Sequence, residues 1–393
     1  MRRENEALQS CVDDRSFVAF EETLRRFVRE RLVPIEREVE ENDQVPAGII
    51  KEMMELGLFG IGIPPEYGGL GLDVWQETQV SLIFGETAPA FRLVFMPNVG
   101  LGSRSIVISG TEEQKAKYLP GLASGELRAC FCLTEPNSGS DAASLRTTAV
   151  RQGEHYVLNG TKRFISNATR ADIFTVMART DPSRKGSEAI SAFIVEHGTP
   201  GLSVGAPEKK LGQRGAPIAD VVFEDVRIPA ANLIGGKEGQ GFRTAMNVLD
   251  AGRISVAASA VGMARRLIDE ASRYALQRRQ FGQRIADFQL IQAMLADSET
   301  EYLAGHALTL RAAEALRAGD NARNLAAAAK YFCSEAVSRI ADRAMQILGG
   351  AGYMADNPVE RFYRDSRVLR IYEGTSQILQ LVIARTLLKR YEI

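Results

Sequence analysis

Cysteine is scarce in this 393-residue chain: Cys11, Cys130, Cys132 and Cys333 are too few and too scattered for a disulfide framework, and none forms a C-x-x-C metal pair. That usage fits a reducing compartment. Histidine is scarcer still. His155, His197 and His306 stand far apart and make no H-x-x-H or E-x-x-H helix pair, so a zinc or di-iron site of that kind is not expected. Charge of one sign is also missing, because 48 basic residues meet 49 acidic ones for a net charge of −1. The chain therefore carries no bulk field to draw nucleic acid or an anionic membrane. No apolar run reaches the roughly 18 residues of a spanning helix, and the opening MRRENEALQS meets charge at once and lacks the apolar core of a secretory signal. A cytoplasmic location is expected.

What is present divides the chain in three. From Phe17 to about Leu127 apolar residues recur at spacings of three and four, as in FVAFEETLRRFVRERLVPIEREV, with Pro34 bending or ending the first helix. Near residue 128 the texture changes to short β-branched and aromatic segments, RACFCLTE, HYVLNGTKRFIS, IFTVMART, AISAFIVE and DVVFEDVRI, separated by turn residues. Long alanine-rich helical patterns follow, and small residues on helix faces favour a closely packed bundle. The expectation is an α+β chain with an N-terminal helical domain (1–127), a middle β-domain (128–236) and a C-terminal helical bundle (237–393). Two short motifs lead nowhere. Gly350, Gly352 and Ala355 follow a helical run instead of the strand a dinucleotide fold needs, and Gly201, Ser203 and Gly205 run into Ala206-Pro207 instead of a helix.

Four blocks mix glycine, hydroxyl and charged residues beyond what core packing asks for: CLTEPNSGSD (132–141), RRQFGQRIADFQ (278–289), QILGGAGYM (346–354) and IYEGTSQI (371–378). TEPNSGSD offers backbone N–H groups and the hydroxyls of Thr134 and Ser140 in a turn free of bulk, suited to a ring edge and a pyrophosphate, although such a turn alone is usually just an Asx-type turn. Arg278 could meet a diphosphate bidentately, whereas helical arginines are usually solvated. Glu373 sits on a loop at a helix N-terminus, where a carboxylate is most often a favourable dipole partner.

Together, and in this order, the blocks resemble the signature segments of the acyl-CoA dehydrogenase family. The resemblance covers essentially the whole chain and implies an FAD enzyme of fatty acid β-oxidation that converts a short- to medium-chain acyl-CoA to the trans-2-enoyl-CoA. It implies Glu373 as the base that removes the α-proton. It further implies Phe131, Leu133, Thr134, Gly139 and Ser140 as flavin contacts, with Ser140 also near substrate. Phe164 and Ser166 in RFIS would meet the ring from a second segment, Phe164 standing where many members have tryptophan. Arg278, Phe281, Gln289, Gln346, Gly349 and Gly350 would hold the distal half of the FAD of a neighbouring subunit in a homotetramer. Thr375 and Gln377 would approach the flavin, and Tyr372 and Gly374 the substrate. Asp250 and Arg253 would meet the CoA portion, although an i, i+3 pair of this kind is also an ordinary surface ion pair. Gly252 occupies the position where the isovaleryl type carries its glutamate. An electron-transferring flavoprotein is the implied partner. A non-catalytic helical scaffold is the alternative from another class, and intact Glu373, Arg278 and TEPNSGSD weigh against it.

One residue departs from the pattern. The segment RLVFMPNVGLGSRS falls where the family lines the far end of the acyl pocket with apolar or small residues, and Arg92 is neither. Most arginines are exposed, so the expectation is that it faces solvent or pairs with Glu86. The alternative comes from the glutaryl-type branch, where an arginine at a closely similar place meets a distal carboxylate.

Overall fold

The computed structural model describes residues 12–181, 183 and 186–392; Cys11 and the opening decapeptide lie outside the described residues. The chain runs through a helical unit, a seven-stranded sheet and a second helical unit, the α+β order expected above.

The first unit holds α1 (Asp14–Phe27), α2 (Glu36–Asn42), α3 (Ala47–Glu55), α4 (Val74–Gly85), α5 (Pro89–Met96), α6 (Arg104–Ser109) and α7 (Glu112–Ser124). Between α1 and α2 the helical path loosens into a wider turn at Val28–Leu32, so the break begins before Pro34, whose missing N–H the altered hydrogen bonding accommodates. Asp73 and Thr111 start α4 and α7 through reciprocal caps with Gln76 and Gln114.

The sheet has the order β1 (Ala129–Cys132), β4 (Ile173–Arg179), β2 (Thr148–Gln152), β3 (His155–Ser166), β7 (Ile218–Pro229) and β6 (Leu202–Val204), with β5 (Ile190–Glu196) paired to β4. Strand β1 runs parallel to β4, and the long β3–β7 ladder is antiparallel with two register shifts. Phe174, Phe193, Phe223 and Tyr156 fill its core.

The third unit holds α8 (Gly241–Gln277), a hairpin of β8 (Arg279–Gln280) and β9 (Gln283–Arg284), α9 (Gln289–Arg317), α10 (Arg323–Leu348), α11 (Pro358–Ser366) and α12 (Ser376–Leu388). Helix α8 is the axis against which α4, α9, α10 and α11 pack. Its alanines make this possible, and so do two glycines: a Cβ on Gly85 of α4 or on Gly262 of α8 would strike the opposing helix backbone. This close crossing carries α4 and the following α5 onto the middle of α8, at Ser255, Ser259 and Gly262. No helix among the described residues is long and apolar enough to cross a membrane. Gly350 lies in the short helical turn Gly349–Tyr353 that follows α10, and Ser203 lies within β6, so neither motif has the strand-to-helix setting its chemistry needs.

Candidate active site

Glu373 lies on the loop that enters α12. Both Glu373 (φ +53°) and Gly374 (φ +101°) are left-handed, a conformation that costs a glutamate about 1 kcal/mol and must be held by its surroundings. The surroundings do hold it. Thr375 caps α12 by accepting from the Ile378 amide at 3.3 Å, and the Ser376 hydroxyl donates to Glu335 at 2.5 Å, where Arg370 also donates at 2.8 Å. The Glu373 carbonyl accepts from Arg253 Nε at 3.2 Å, and the Gly374 carbonyl accepts from Lys330 Nζ at 2.6 Å. The carboxylate itself receives no hydrogen bond among the described residues, and its Oε2 is buried. It rests against Gly252, where a Cβ would collide with Oε2. The Glu373 amide N–H likewise has no partner among the described residues.

A buried, unbonded carboxylate resists ionisation, and burial is the main influence on Glu373, pushing its pKa above the ordinary glutamate range. Three cations pull in the other direction, Arg92, Arg253 and Lys330. Burial likewise lowers Lys330 to about 8 and raises the phenol of Tyr372, beside the same carboxylate, to about 12. The result is a proton acceptor tuned upward yet surrounded by positive charge, with no donor capping its free oxygen.

Arg92 is not at the surface. It is buried on α5, donates through Nη2 to Ser255 Oγ at 2.7 Å, and leaves Nε buried without a partner. Glu86, the partner expected from sequence, pairs with Arg25 at 3.6 Å instead. The correction has a structural cause: the α4–α8 crossing turns the Arg92 face of α5 toward α8, where Ser81 of α4 already bonds Ser255 at 2.8 Å. The guanidinium and the Glu373 carboxylate are close enough to act on each other electrostatically.

Asp250 and Arg253 also differ from an ordinary surface pair. Their 2.8 Å bridge is buried, and Arg323 approaches the second Asp250 oxygen at 3.5 Å. Arg253 lines a cavity of about 600 Å³ whose wall also carries Arg243, Arg323, Arg385 and Lys389 against the single acid Glu188. A chain of balanced charge thus concentrates cations at one mouth.

The two segments expected to meet a ring are tied together. The Thr134 carbonyl accepts from the Arg163 amide at 2.8 Å, and the Leu133 carbonyl accepts from buried Lys162 at 3.1 Å. Lys162 in turn pairs with Glu135, whose carboxylate also accepts from the Arg146 and Thr147 amides. Strand β3 bulges between Lys162 and Ile165, and the bulge turns Phe164 outward with φ +59° and half its ring exposed. Phe131, Leu133, Thr134 and Ser166 are part-buried there, while Gly139 and Ser140 are exposed. Nothing in the chain comes within 4 Å of a Cβ built on Gly139, so no contact within this chain demands its smallness. The Arg163 guanidinium lies over the Phe164 ring at 5.0 Å, and the half of the ring that stays exposed, with the open glycine turn, fits a flat ring system laid against it.

The remaining cluster lies elsewhere. At a rise of about 1.5 Å per residue, Arg278 is about 39 Å along α8 from Gly252. Arg278, Phe281, Gln289, Gln346, Gly349 and Gly350 are all exposed, and Phe281 (φ +52°) is 93% so. Among the described residues the Arg278 side chain makes no hydrogen bond or ion pair. The structure therefore brings Glu373, Gly252, Arg253, Arg92, Tyr372 and Gly374 into one place and sets the Arg278 cluster apart from it. Thr375 follows Glu373 and Gly374 as the cap of α12, and Gln377 is exposed on its first turn.

Sequence reasoning missed Lys330, Ser255 and the cationic wall. Lys330 had a signal, a lone charge among buried Ala326, Ala327, Ala329 and Cys333. Ser255 and the scattered arginines had none.

Family profiles match in the same order along the chain: the acyl-CoA dehydrogenase N-terminal domain at residues 16–126, the middle domain at 130–226 and the C-terminal domain at 239–388. An acyl-CoA dehydrogenase of Bacillus subtilis is 44% identical over 94% of this chain and 97% of its own. The caffeyl-CoA reductase-Etf complex subunit CarC of Acetobacterium woodii is 42% identical over 90% and 93%. Butyryl-CoA dehydrogenase of Megasphaera elsdenii superimposes with a TM-score of 0.91 at 36% identity, covering 97% of this chain and 100% of that one. The chain belongs to the acyl-CoA dehydrogenase family, a family of flavin-dependent oxidoreductases.

Proposed function

We propose that this enzyme uses FAD to oxidise a short- to medium-chain acyl-CoA to the trans-2-enoyl-CoA, with Glu373 as the base, in three units bounded near residues 127 and 236. The observation that carries the reading is the part-buried Glu373 carboxylate, whose Oε2 is buried without a partner and whose pKa is raised by burial. An α-proton of a thioester is too weakly acidic for a carboxylate in water. A dry, upward-tuned carboxylate is better matched to it. The unpartnered Glu373 N–H donates to the thioester oxygen, stabilising the negative charge that develops there. The cationic wall of Arg243, Arg253, Arg323, Arg385 and Lys389 receives the phosphates of CoA.

Thr134, Gly139, Ser140, Phe164 and Ser166 hold the ring end of the cofactor, with Thr375 and Gln377 facing it. When bound, the flavin supplies the acceptor for the β-hydride. Arg278, at the far end of α8 from Gly252, is too distant to serve the same cofactor, so with Phe281, Gln289, Gln346, Gly349 and Gly350 it completes the site of a second copy within a homotetramer. The relative named for an Etf complex supports an electron-transferring flavoprotein as the electron partner.

Arg92 favours a second reading of the acyl pocket. A buried guanidinium with one neutral hydrogen-bond partner, an unsatisfied Nε and no carboxylate at ion-pair distance among the described residues has room for a direct anionic partner, which an anionic acyl tail would supply. Turnover of butyryl-, hexanoyl-, octanoyl- and glutaryl-CoA in the wild type and in Arg92→Ala separates the two. If Arg92 reads a carboxylate, glutaryl-CoA is oxidised and Arg92→Ala lowers its kcat/KM on the order of 100-fold while sparing butyryl-CoA. Inert glutaryl-CoA and an unchanged alkyl preference leave the short- to medium-chain reading alone. No turnover of any of the four overturns both.

A further inference from the structure

Lys330 lies in the middle of α10, inside the apolar run AAAAKYF, with no exposed surface. Burying an ammonium costs several kcal/mol unless it is paired, yet no carboxylate comes within ion-pair distance of it among the described residues. Its hydrogen bond goes instead to the Gly374 carbonyl at 2.6 Å, the residue that follows Glu373. The clamp therefore falls on the second of two consecutive left-handed residues, where the peptide plane decides which way the loop, and the carboxylate on it, faces. The charged groups facing the ammonium are Glu373 from the loop, Arg253 from α8 and Glu335 from its own helix. Arg92 and Arg253 face the same carboxylate from α5 and α8.

We propose that Lys330 is a positioning residue for the base: its N–H clamps the Gly374 carbonyl to aim the Glu373 carboxylate, and its positive charge keeps that carboxylate anionic inside a dry site. The proposal rests on Glu373 being the base. Two features separate it from simple packing. A packing role is served by any side chain of the right volume, and a clamp by any donor of the right reach. Holding the carboxylate anionic needs the charge as well. Loss of the charge removes one of the three cations that oppose burial, so the proton that silences Glu373 is bound at higher pH.

The test is the pH profile of kcat/KM, whose acid limb reports the base in the free enzyme, for the wild-type holoenzyme, Lys330→Gln and Lys330→Arg with butyryl-CoA or whichever thioester of the panel is turned over. Lys330→Gln keeps a donor and drops the charge; its acid limb should move up by about one pH unit. Lys330→Arg keeps the charge; its limb should stay with the wild type while kcat falls several-fold because the bulkier head displaces the loop. A Lys330→Gln limb that coincides with the wild type overturns the proposal, and so does an arginine variant whose limb moves as far as the glutamine one. If Lys330→Gln yields no folded flavoprotein, the position of the Lys330→Arg limb decides. A wild type that oxidises no acyl-CoA would instead remove the base assignment on which the proposal stands.

Discussion

The two ends of the proposed cofactor site are built on opposite plans. At the Glu373 end every constraint is internal: Thr375, Ser376, Glu335, Arg253 and Lys330 pin the loop, and Gly252 leaves a slot shaped to the carboxylate. At the Arg278 end nothing internal accounts for the residues. Among the described residues the guanidinium is unpaired, Phe281 is 93% exposed with only the edge of Phe288 beside its ring, and a Cβ on Gly350 would meet nothing within 4 Å. A site that one chain completes by itself is over-determined and buried; a site that waits for another chain and a ligand keeps its anchors exposed.

That contrast predicts a gradient of effects. Glu373→Gln removes the proton acceptor and little volume, so kcat should fall on the order of 10⁴-fold with the flavin spectrum intact; comparable turnover in the variant would show that the buried end is not the chemical end. Gly252→Ala comes next. Its methyl enters the carboxylate slot, and a base displaced by a fraction of an ångström should cost on the order of 100-fold in kcat with little change in melting temperature. An unchanged kcat would mean that the slot is loose and the loop adaptable. Arg278→Ala should have the smallest chemical effect and a different signature: the FAD dissociation constant rises about 10- to 100-fold, while the melting of the apoprotein stays where it was. If the apoprotein melts earlier and FAD binding is unaltered, the exposed cluster is structural after all.

The fold was readable because its signals are local. The change from periods of three and four to short β-branched segments marks Ala129, and the return of alanine-rich helix marks Gly241. The loop that carries the proposed base stands out as a motif, since IYEGTSQI is contiguous. What escaped was anything assembled by tertiary contact. Arg92 read as a surface arginine because periodicity cannot tell which face of α5 the Gly85–Gly262 crossing will cover. For the same reason spacing alone could not separate the role that the resemblance implies for Asp250 and Arg253 from an ordinary solvated i, i+3 pair; Arg323 from another helix and the Glu373 carbonyl close around them. The cationic wall draws on α8, α10 and α12, whose arginines are unremarkable one by one. Lys330 is the instructive case: a charge at a buried position of an alanine run is a departure from pattern, and such departures gather at functional sites.

The account stands most directly on the chemistry at Glu373, and one measurement addresses it: anaerobic addition of saturated acyl-CoA thioesters to the purified holoenzyme, read as loss of the oxidised flavin absorbance. The wild type should purify yellow and bleach with at least one thioester of the panel, with enoyl-CoA formed in equal amount. A protein that binds no FAD, or one whose flavin stays oxidised against every thioester, would contradict the central claim.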